Sequence, residues 1–456
     1  MENLMEKIVS LAKRRGFIYP GSEIYGGLGG TWDYGPAGVE LKNNIKREWW
    51  RTFVQLRDDV VGIDAAILMN PKVWEASGHL ESFTDPLVEC KVCHERLRAD
   101  HEDEIKEHEK RHQPRIDRIE TGPKEKDFWT EPQKFNLMVE ASLGVIEGKK
   151  QTVYLRGEIT QGVHVNFKNV LDSTRIKIPF GIAQVGKAFR NEITPGNFTF
   201  RSREFEQFEI QYYIKPDEKE GKKWFEYWKN EVINWYLSLG IKKENLRFRD
   251  HTPDERAHYA KDACDLEYNS PFGGWKEFQG IHHRADWDLS RHSKFSSEKL
   301  TYTDPETKKE FTPWDIESSG GVDRATLFFL IDAYEEEKLE KDETRVVLRL
   351  HPKLAPYKVA VFPLLANKQE LINAAKKIYD DLKIEFMTAW DDRGNIGKRY
   401  RAQDEVGTPY CVTIDFESLE DNAVTVRDRD SMKQERIAIS ELKNYLKNEL
   451  QKTNTR

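Results

Sequence analysis

Residues 204–214 read Glu-Phe-Glu-Gln-Phe-Glu-Ile-Gln-Tyr-Tyr-Ile, and apolar and polar positions alternate along them. Phe208, Ile210, Tyr212 and Ile214 take one side of an extended chain, while Glu209, Gln211 and Tyr213 take the other. The pattern predicts a strand with one apolar and one polar face. Residues 187–190 supply a partner strand, joined through a Thr194-Pro195-Gly196-Asn197 turn in which Pro presets φ at about −65° and Gly admits φ > 0. Helical spacing appears elsewhere. Leu41, Ile45, Trp49 and Phe53 recur at i, i+4 after Pro36, which predicts a long helix with one core stripe. The adjoining Trp50 and Val54 widen that stripe toward a subunit interface. Trp224, Trp228, Val232, Trp235 and Leu239 predict a packing helix stopped by Gly240, and 325–334 a third, strongly apolar one. Leu4, Ile8 and Leu11 predict a short helix at the start.

From Tyr357 the pattern changes to strand 359–362, helix 370–382, strand 384–388, helix near 395–406 and strand 410–414. That alternation is an α/β unit. The run His351-Pro352-Lys353-Leu354-Ala355-Pro356 reads as a linker. The fold class is therefore α+β: an antiparallel-sheet domain over 1–350, interrupted by a charge-dominated insertion at about 90–130, then a small α/β domain over 354–456. A chain of 456 residues accommodates two or three such cores. No run approaches the roughly 18 apolar residues of a membrane span, and no signal-peptide pattern opens the chain. Four cysteines are too few for a disulfide framework, so a reducing, cytoplasmic setting is expected. The net charge of −7 gives no global basic signal, although nucleic acid responds to local patches rather than to the total.

The hairpin around residue 195 brings Arg190 and Glu192 toward Arg201 and Arg203. Guanidinium forks on rigid strands suit a polyphosphate, because each binds phosphate oxygens bidentately; the plain alternative is a surface hairpin laced with ion pairs. Downstream, Glu317-Ser318-Ser319-Gly320-Gly321-Val322-Asp323-Arg324 runs into an apolar helix, whose N-terminus favours anions. In the tail, Arg393, Lys398, Arg399 and Arg401 surround Tyr400 beside two glycines, a set that neutralises phosphates and stacks a base, or else simply opens a solvated basic helix.

The order Phe189-Arg190-x-Glu192, loop, Arg201-x-x-x-Phe205 resembles motif 2 of class II aminoacyl-tRNA synthetases. The Glu317–Arg324 segment resembles their motif 3, and Tyr34-Gly35-Pro36-Ala37-Gly38 their dimerisation motif. Residues 17–50, 130–138 and 396–430 are similar to the homodimeric glycyl-tRNA synthetases. The likeness covers nearly the whole chain outside about 100–128. It implies a class II catalytic domain with a C-terminal anticodon-binding domain, which joins glycine to tRNA(Gly) through a glycyl-adenylate made from ATP, as a homodimer. It implies ATP contacts at Arg190, Asn191, Glu192, Phe200, Arg201, Phe205, Glu277, Phe278, Gly321 and Arg324. It implies a glycine pocket at Arg98, Glu158, Phe205, Glu206, Gln207, Glu209, Arg284, Glu317, Ser319 and Gly321, and tRNA contact at Arg393, Lys398, Arg399 and Arg401. Glycine's ammonium calls for a carboxylate, with Glu158, Glu206 and Glu209 in view. Gly157 and Ser318-Ser319-Gly320 depart from the family's Pro and Pro-Ser-Ala. Two other readings stay open: a non-catalytic, synthetase-like nucleic-acid-binding protein of the polymerase accessory-subunit type, and a synthetase for serine, threonine or proline.

Two metal expectations accompany this. ATP activation in the family uses Mg²⁺, with Glu277 and Glu317 as ligands. Cys90-x₂-Cys93 and His108-x₃-His112, with 14 residues between the pairs, match a Zn²⁺ spacing. The charge of the intervening run favours a solvated, partly helical insertion over the metal.

Overall fold

The computed structural model describes residues 4–100, 102–116, 129–144, 150–256, 259–339 and 343–452; the side chains at 103 and 113–116 lie outside that description. Residues 117–128 of the charged insertion are likewise outside it.

A seven-stranded sheet organises the first part of the chain. Its strands are β1 (Val60–Gly62), β2 (Phe180–Phe189), β3 (Glu204–Ile214), β4 (Leu246–Asp250), β5 (Asp262–Ser270), β6 (Gly274–Ala285) and β7 (Trp314–Gly321), in the order β4-β5-β6-β7-β3-β2-β1. All neighbours are antiparallel except the edge strand β1, which runs parallel to β2. β3 lies near the middle and pairs with β2 on one side (Phe208↔Val185) and β7 on the other (Glu209↔Ser319).

The apolar face of the sheet packs on three helices, Pro36–Trp50, Glu218–Ser238 and Val322–Ala333. Leu41, Ile45, Trp49 and Phe53 are all buried as their spacing predicts, and Trp49 stacks on Phe208 of β3 at 5.2 Å. Trp228, Val232 and Trp235 bury the second helix, and Gly240, at φ 98°, follows its end. The short helix Leu4–Arg14 contributes Ile8 and Leu11 to the same core. The polar face of β3 differs from the expectation: Glu209 and Gln211 are fully buried, so it looks into protein rather than water.

The second part is a five-stranded sheet of β8 (Val359–Pro363), β9 (Thr388–Trp390), β10 (Tyr410–Ile414), β11 (Ala423–Asp428) and β12 (Gln434–Ala438), ordered β9-β8-β10-β11-β12. Helices Gln369–Leu382 and Ile396–Val406 supply the expected alternation, and Ile439–Gln451 closes the chain. The expected strand at 384–388 begins only at Thr388. The supposed linker is pinned rather than loose. Lys358 Nζ donates to the carbonyls of Pro352, Lys353 and Ala355 at 2.8, 2.8 and 2.9 Å, and Asn44 Nδ2 to those of Leu354 and Ala355 at 3.2 and 3.0 Å.

The insertion forms a three-stranded sheet with Thr84–Glu89 between Arg96–Arg98 and Gln133–Asn136, followed by the helix Glu102–Ile116. It stands at the open end of β2 and β3, where Asn191 N donates to Leu137 O.

Candidate active site

The ends of β3 and β7 and the loop between β2 and β3 enclose a cavity of about 350 Å³. Four guanidiniums line it: Arg98 from the insertion, Arg190 just past β2, Arg201 from the loop and Arg324 from the Val322–Ala333 helix. Arg190 donates Nε to Gly157 O at 3.0 Å, and its guanidinium stacks over Phe83 and Phe205 at 5.1 and 5.3 Å. Arg324 stacks over Phe200 at 4.5 Å and pairs with Glu277 at 3.2 Å. Aromatic faces thus fix both planes, and Gly321 caps the helix that carries Arg324. Planar cations held in this way beside a helix N-terminus suit a chain of phosphates.

Of the sequence-derived ATP set, Glu192, Phe200, Phe205, Glu277 and Gly321 also line the cavity, whereas Asn191 and Phe278 do not. Asn191 points to solvent. Phe278 is in the core, 4.0 Å from Tyr236 and 4.9 Å from Phe328, ring centre to ring centre. The cause is a β-bulge: β6 pairs Gln279 with Leu266 and Glu277 with Glu267, leaving Phe278 as the extra residue. Strict alternation from Gly280 would turn Phe278 toward the cavity and Glu277 inward; the bulge does the reverse.

The loop also differs from the expected turn. Gly196 is not left-handed; Asn197 and Phe198 are, at φ 54° and 57°, and a turn of 3-10 helix spans Phe198–Phe200. Arg203 is drawn away, donating to the carbonyls of Glu192 and Gly29.

The expected glycine residues fall into two layers. Arg98, Phe205, Glu206, Gln207, Ser319 and Gly321 line the cavity. Glu206 is no open carboxylate, because Lys42 and Lys46 approach it at 2.8 and 3.0 Å. Lys42 also holds Asp323 at 2.8 Å, and Asp323 accepts from Glu206 N at 2.6 Å. Sequence reading missed this lysine pair, although both lie one helical turn apart on the Pro36–Trp50 helix.

Glu158, Glu209, Arg284 and Glu317 form the deeper layer. Ser319 Oγ, at the cavity floor, donates to Glu209 Oε2 at 3.0 Å. Gln211 bridges Glu209 and Glu317. Arg284 joins Glu317 at 3.0 Å to Asp288 at 2.8 and 3.0 Å, while its guanidinium stacks over Tyr259 at 3.9 Å. His282 bonds Glu317 at 2.8 Å, and His79 lies 3.2 Å from Glu158. Burial opposes ionisation of Glu158, but His79 and Arg284 outweigh it and hold the carboxyl down at about 2. Burial also opposes a charged His282, yet its bond to Glu317 raises it. Glu209 makes no ion pair among the described residues, although the charge of Arg156 is felt there. Burial first, then the charges of Glu317 and Glu158, push it well up. Asp315, its side-chain oxygens without hydrogen-bond partners and His164 Nε2 3.9 Å away, is also pushed up, because burial outweighs the opposing charge of Arg284. His79, Asp288, Tyr259 and Gln161, whose Nε2 donates to Glu158 at 3.1 Å and to Asp288 at 3.0 Å, carried no sequence signal beyond the Arg284-x₃-Asp288 spacing on either side of a turn.

Glu277 and Glu317 do not form one cation site. Glu317 stands opposite His282, five residues along β6 from Glu277, which separates the two backbones by roughly 15 Å. Glu317 is also sealed by His282 and Arg284. The Cys/His set behaves oppositely. One ligand atom from each of Cys90, Cys93, His108 and His112 lies within 4.8 Å of every other. Cys93 Sγ to His108 Nε2 is 3.5 Å, close to the edge of a tetrahedral Zn²⁺ site, about 3.6 Å. His108 is fully buried and sets its Nδ1 3.2 Å from Glu95, so the expectation of a solvated insertion fails at this point.

Of the four C-terminal cations, Arg393 and Lys398 are exposed, and Arg401 pairs with Glu343. Arg399 is buried. It donates to the carbonyls of Pro363, Asp392, Arg393 and Gly394, which closes the loop before its helix and removes it from any RNA surface.

Comparison with known proteins places these features. An anticodon binding domain model matches residues 358–449. The chain is 53% identical to the glycine–tRNA ligase of Alkaliphilus oremlandii, covering 98% of this chain and 99% of the relative. It is 54% identical to that of Caldanaerobacter subterraneus subsp. tengcongensis (98% of each) and 53% identical to that of Geobacillus kaustophilus (98% and 99%).

Proposed function

This chain belongs to the glycine–tRNA ligase family, and on that premise we propose how its residues divide the work of charging tRNA with glycine. The carboxylate of glycine attacks the α-phosphorus of ATP, and the bond to the bridging oxygen breaks to give glycyl-adenylate and pyrophosphate. The terminal ribose hydroxyl of tRNA then attacks the glycyl carbonyl and releases AMP. Arg190 takes the α-phosphate, Arg324 the γ-phosphate, and Phe205 or Phe200 the purine face; Phe278 contributes backbone only. Chemistry at phosphorus asks mainly for positioning and neutralisation, and no general base is assigned.

The observation that carries the amino-acid half is the cation deficit under Ser319. Four buried carboxyls, Glu209, Asp288, Asp315 and Glu317, and the half-buried Glu158 face Arg284 and the imidazoles of His79, His164 and His282. Glycine's ammonium supplies a missing charge beside Glu209, which then gives up its proton. Ser319 and the strand bearing Glu206 occupy the space of a Cβ, so larger amino acids are excluded by contact. Amino-acid-dependent ATP–pyrophosphate exchange with glycine, alanine and serine tests this; alanine within a few-fold of glycine overturns the pocket.

Glu277 is the residue present that fits Mg²⁺, which neutralises charge between the phosphates when bound. Cys90, Cys93, His108 and His112 fit Zn²⁺, with Glu95 orienting His108 through Nδ1. We assign residues 1–350 to activation and 354–456 to tRNA recognition, with Arg393 and Lys398 as phosphate contacts. The chain acts in the cytoplasm as a homodimer, joined along the Pro36–Trp50 helix. Sedimentation equilibrium tests the dimer, and a monomer at micromolar concentration rejects it.

A further inference from the structure

The Cys/His cluster and the cavity share one small sheet. Cys90 directly follows the strand Thr84–Glu89, and Cys93 sits in the turn that leads to Arg96–Arg98. That turn is held by Cys90 N to Glu95 O at 2.8 Å and His94 N to Cys90 O at 2.8 Å. His108 and His112 follow on the helix Glu102–Ile116. Arg98 therefore lies in the chain between the two ligand pairs. Among the described residues it is the only part of the insertion that lines the cavity. Its guanidinium reaches Asp85 at 2.6 Å and Asp100 at 3.0 and 2.7 Å, so its direction depends on the geometry of that hairpin.

Beyond its pairing with Thr84–Glu89 and the ion pairs of Glu89 with His94 and Arg96, the hairpin has little apolar support. From 102 to 112 the helix reads Glu-Asp-Glu-Ile-Lys-Glu-His-Glu-Lys-Arg-His, a sequence charged nearly throughout. Leu97 is buried and Trp129 packs on His108 at 5.0 Å, a core far too small to order some thirty residues by apolar burial. A metal bound by four side chains supplies folding free energy directly.

We propose that Zn²⁺ at Cys90, Cys93, His108 and His112 is the clip that aims Arg98 into the glycine cavity, so that metal occupancy sets glycine affinity. Arg98 anchors the carboxylate of glycine, and the metal ligands are positioning residues that act through it. The inference rests on the glycine-binding reading above.

The test uses the full-length protein. Elemental analysis should return one zinc per chain, and Co²⁺ substitution should give the intense visible d–d bands of a tetrahedral thiolate site. The Cys93→Ser variant and chelator-stripped protein should keep the kcat of pyrophosphate exchange, while KM for glycine rises about tenfold, the usual effect of a lost supporting contact. In the Arg98→Ala background, removing zinc should change KM no further. A protein free of zinc, or without tetrahedral cobalt bands, overturns the site. A zinc protein whose glycine KM is unmoved by stripping overturns the coupling, and leaves the glycine reading intact as long as exchange remains glycine-dependent.

Discussion

Two buried ion clusters in this chain differ in one respect. The first lies under Ser319, where five carboxyls meet Arg284 and three imidazoles, and burial, with the neighbouring carboxylates, pushes Glu209 and Asp315 up. The second joins the hairpin of strands Tyr334–Lys338 and Thr344–Leu348 to the five-stranded sheet and its Ile396–Val406 helix. Arg345 holds Asp404 at 2.8 Å, Arg427 holds the same carboxylate at 2.8 and 3.1 Å, and Arg349 holds Asp430 at 2.9 Å and Glu335 at 2.6 Å. Arg429 donates to the carbonyls of Leu350 and Gly407, and Glu337 accepts from Arg345 at 2.7 Å. Four guanidiniums there face Asp404, Asp430, Glu335 and Glu337, and none of these side chains has a buried atom without a hydrogen-bond partner. A complete cluster is structure. An incomplete one is a site, because the missing charge must come from a ligand.

Changes at the incomplete cluster and its cavity should therefore cost activity at nearly constant stability, and changes at the junction the reverse. The largest effect is expected for Arg190→Ala and Arg324→Ala, with glycine-dependent exchange falling by about two to three orders of magnitude while thermal unfolding hardly moves. Near-normal exchange in either would remove the phosphate assignment. Next comes Asp404→Ala. It leaves Arg345 and Arg427 buried without their carboxylate and should cost about 3–5 kcal/mol in chemical unfolding, with exchange per folded molecule unchanged. A loss of exchange without a loss of stability would break the comparison outright.

Glu209→Gln sharpens it, with KM for glycine rising about tenfold and kcat less affected. The wild-type pH profile carries the same information. An ammonium favours ionised Glu209, so binding releases a proton; KM for glycine should fall as pH rises, by at most about tenfold per unit, until Glu209 is ionised without ligand. The Glu209→Gln substitution should flatten that slope, and an unchanged slope would point to another group. The smallest effect belongs to Arg393→Ala, which should weaken tRNA several-fold and lower the salt slope by about one, whereas Arg399→Ala should lower stability instead.

Much of this was legible because periodicity reports faces. The Leu41–Phe53 stripe, the Trp228 helix and the strand at 410–414 fold as their spacing predicts. The order of Arg190, Glu192, Arg201, Phe205 and Arg324 was enough to find the cavity. What escaped depended on direction and long-range pairing. A cluster of cations in sequence does not say that Arg399 turns inward onto four carbonyls. Nor can it pair Arg345 with Asp404, or place His79 and Tyr259 around Glu158 and Arg284. The Cys/His spacing was visible, but only folding buries His108 beside Cys93.

The single extra residue in β6 makes that strand a message read in two phases. Upstream of Phe278 the odd positions face the cavity, and downstream the even ones do. Deleting Phe278 would put both halves in one phase with Glu277 still on the cavity side, so the ladder can close without the extra residue. What the extra residue adds is a buried ring between Tyr236 and Phe328, and truncating it to Ala would leave a void costing about 3–5 kcal/mol. The odd step in the strand is thus kept for the ring it inserts, and the chemistry rather than the count is what should stay fixed at this position.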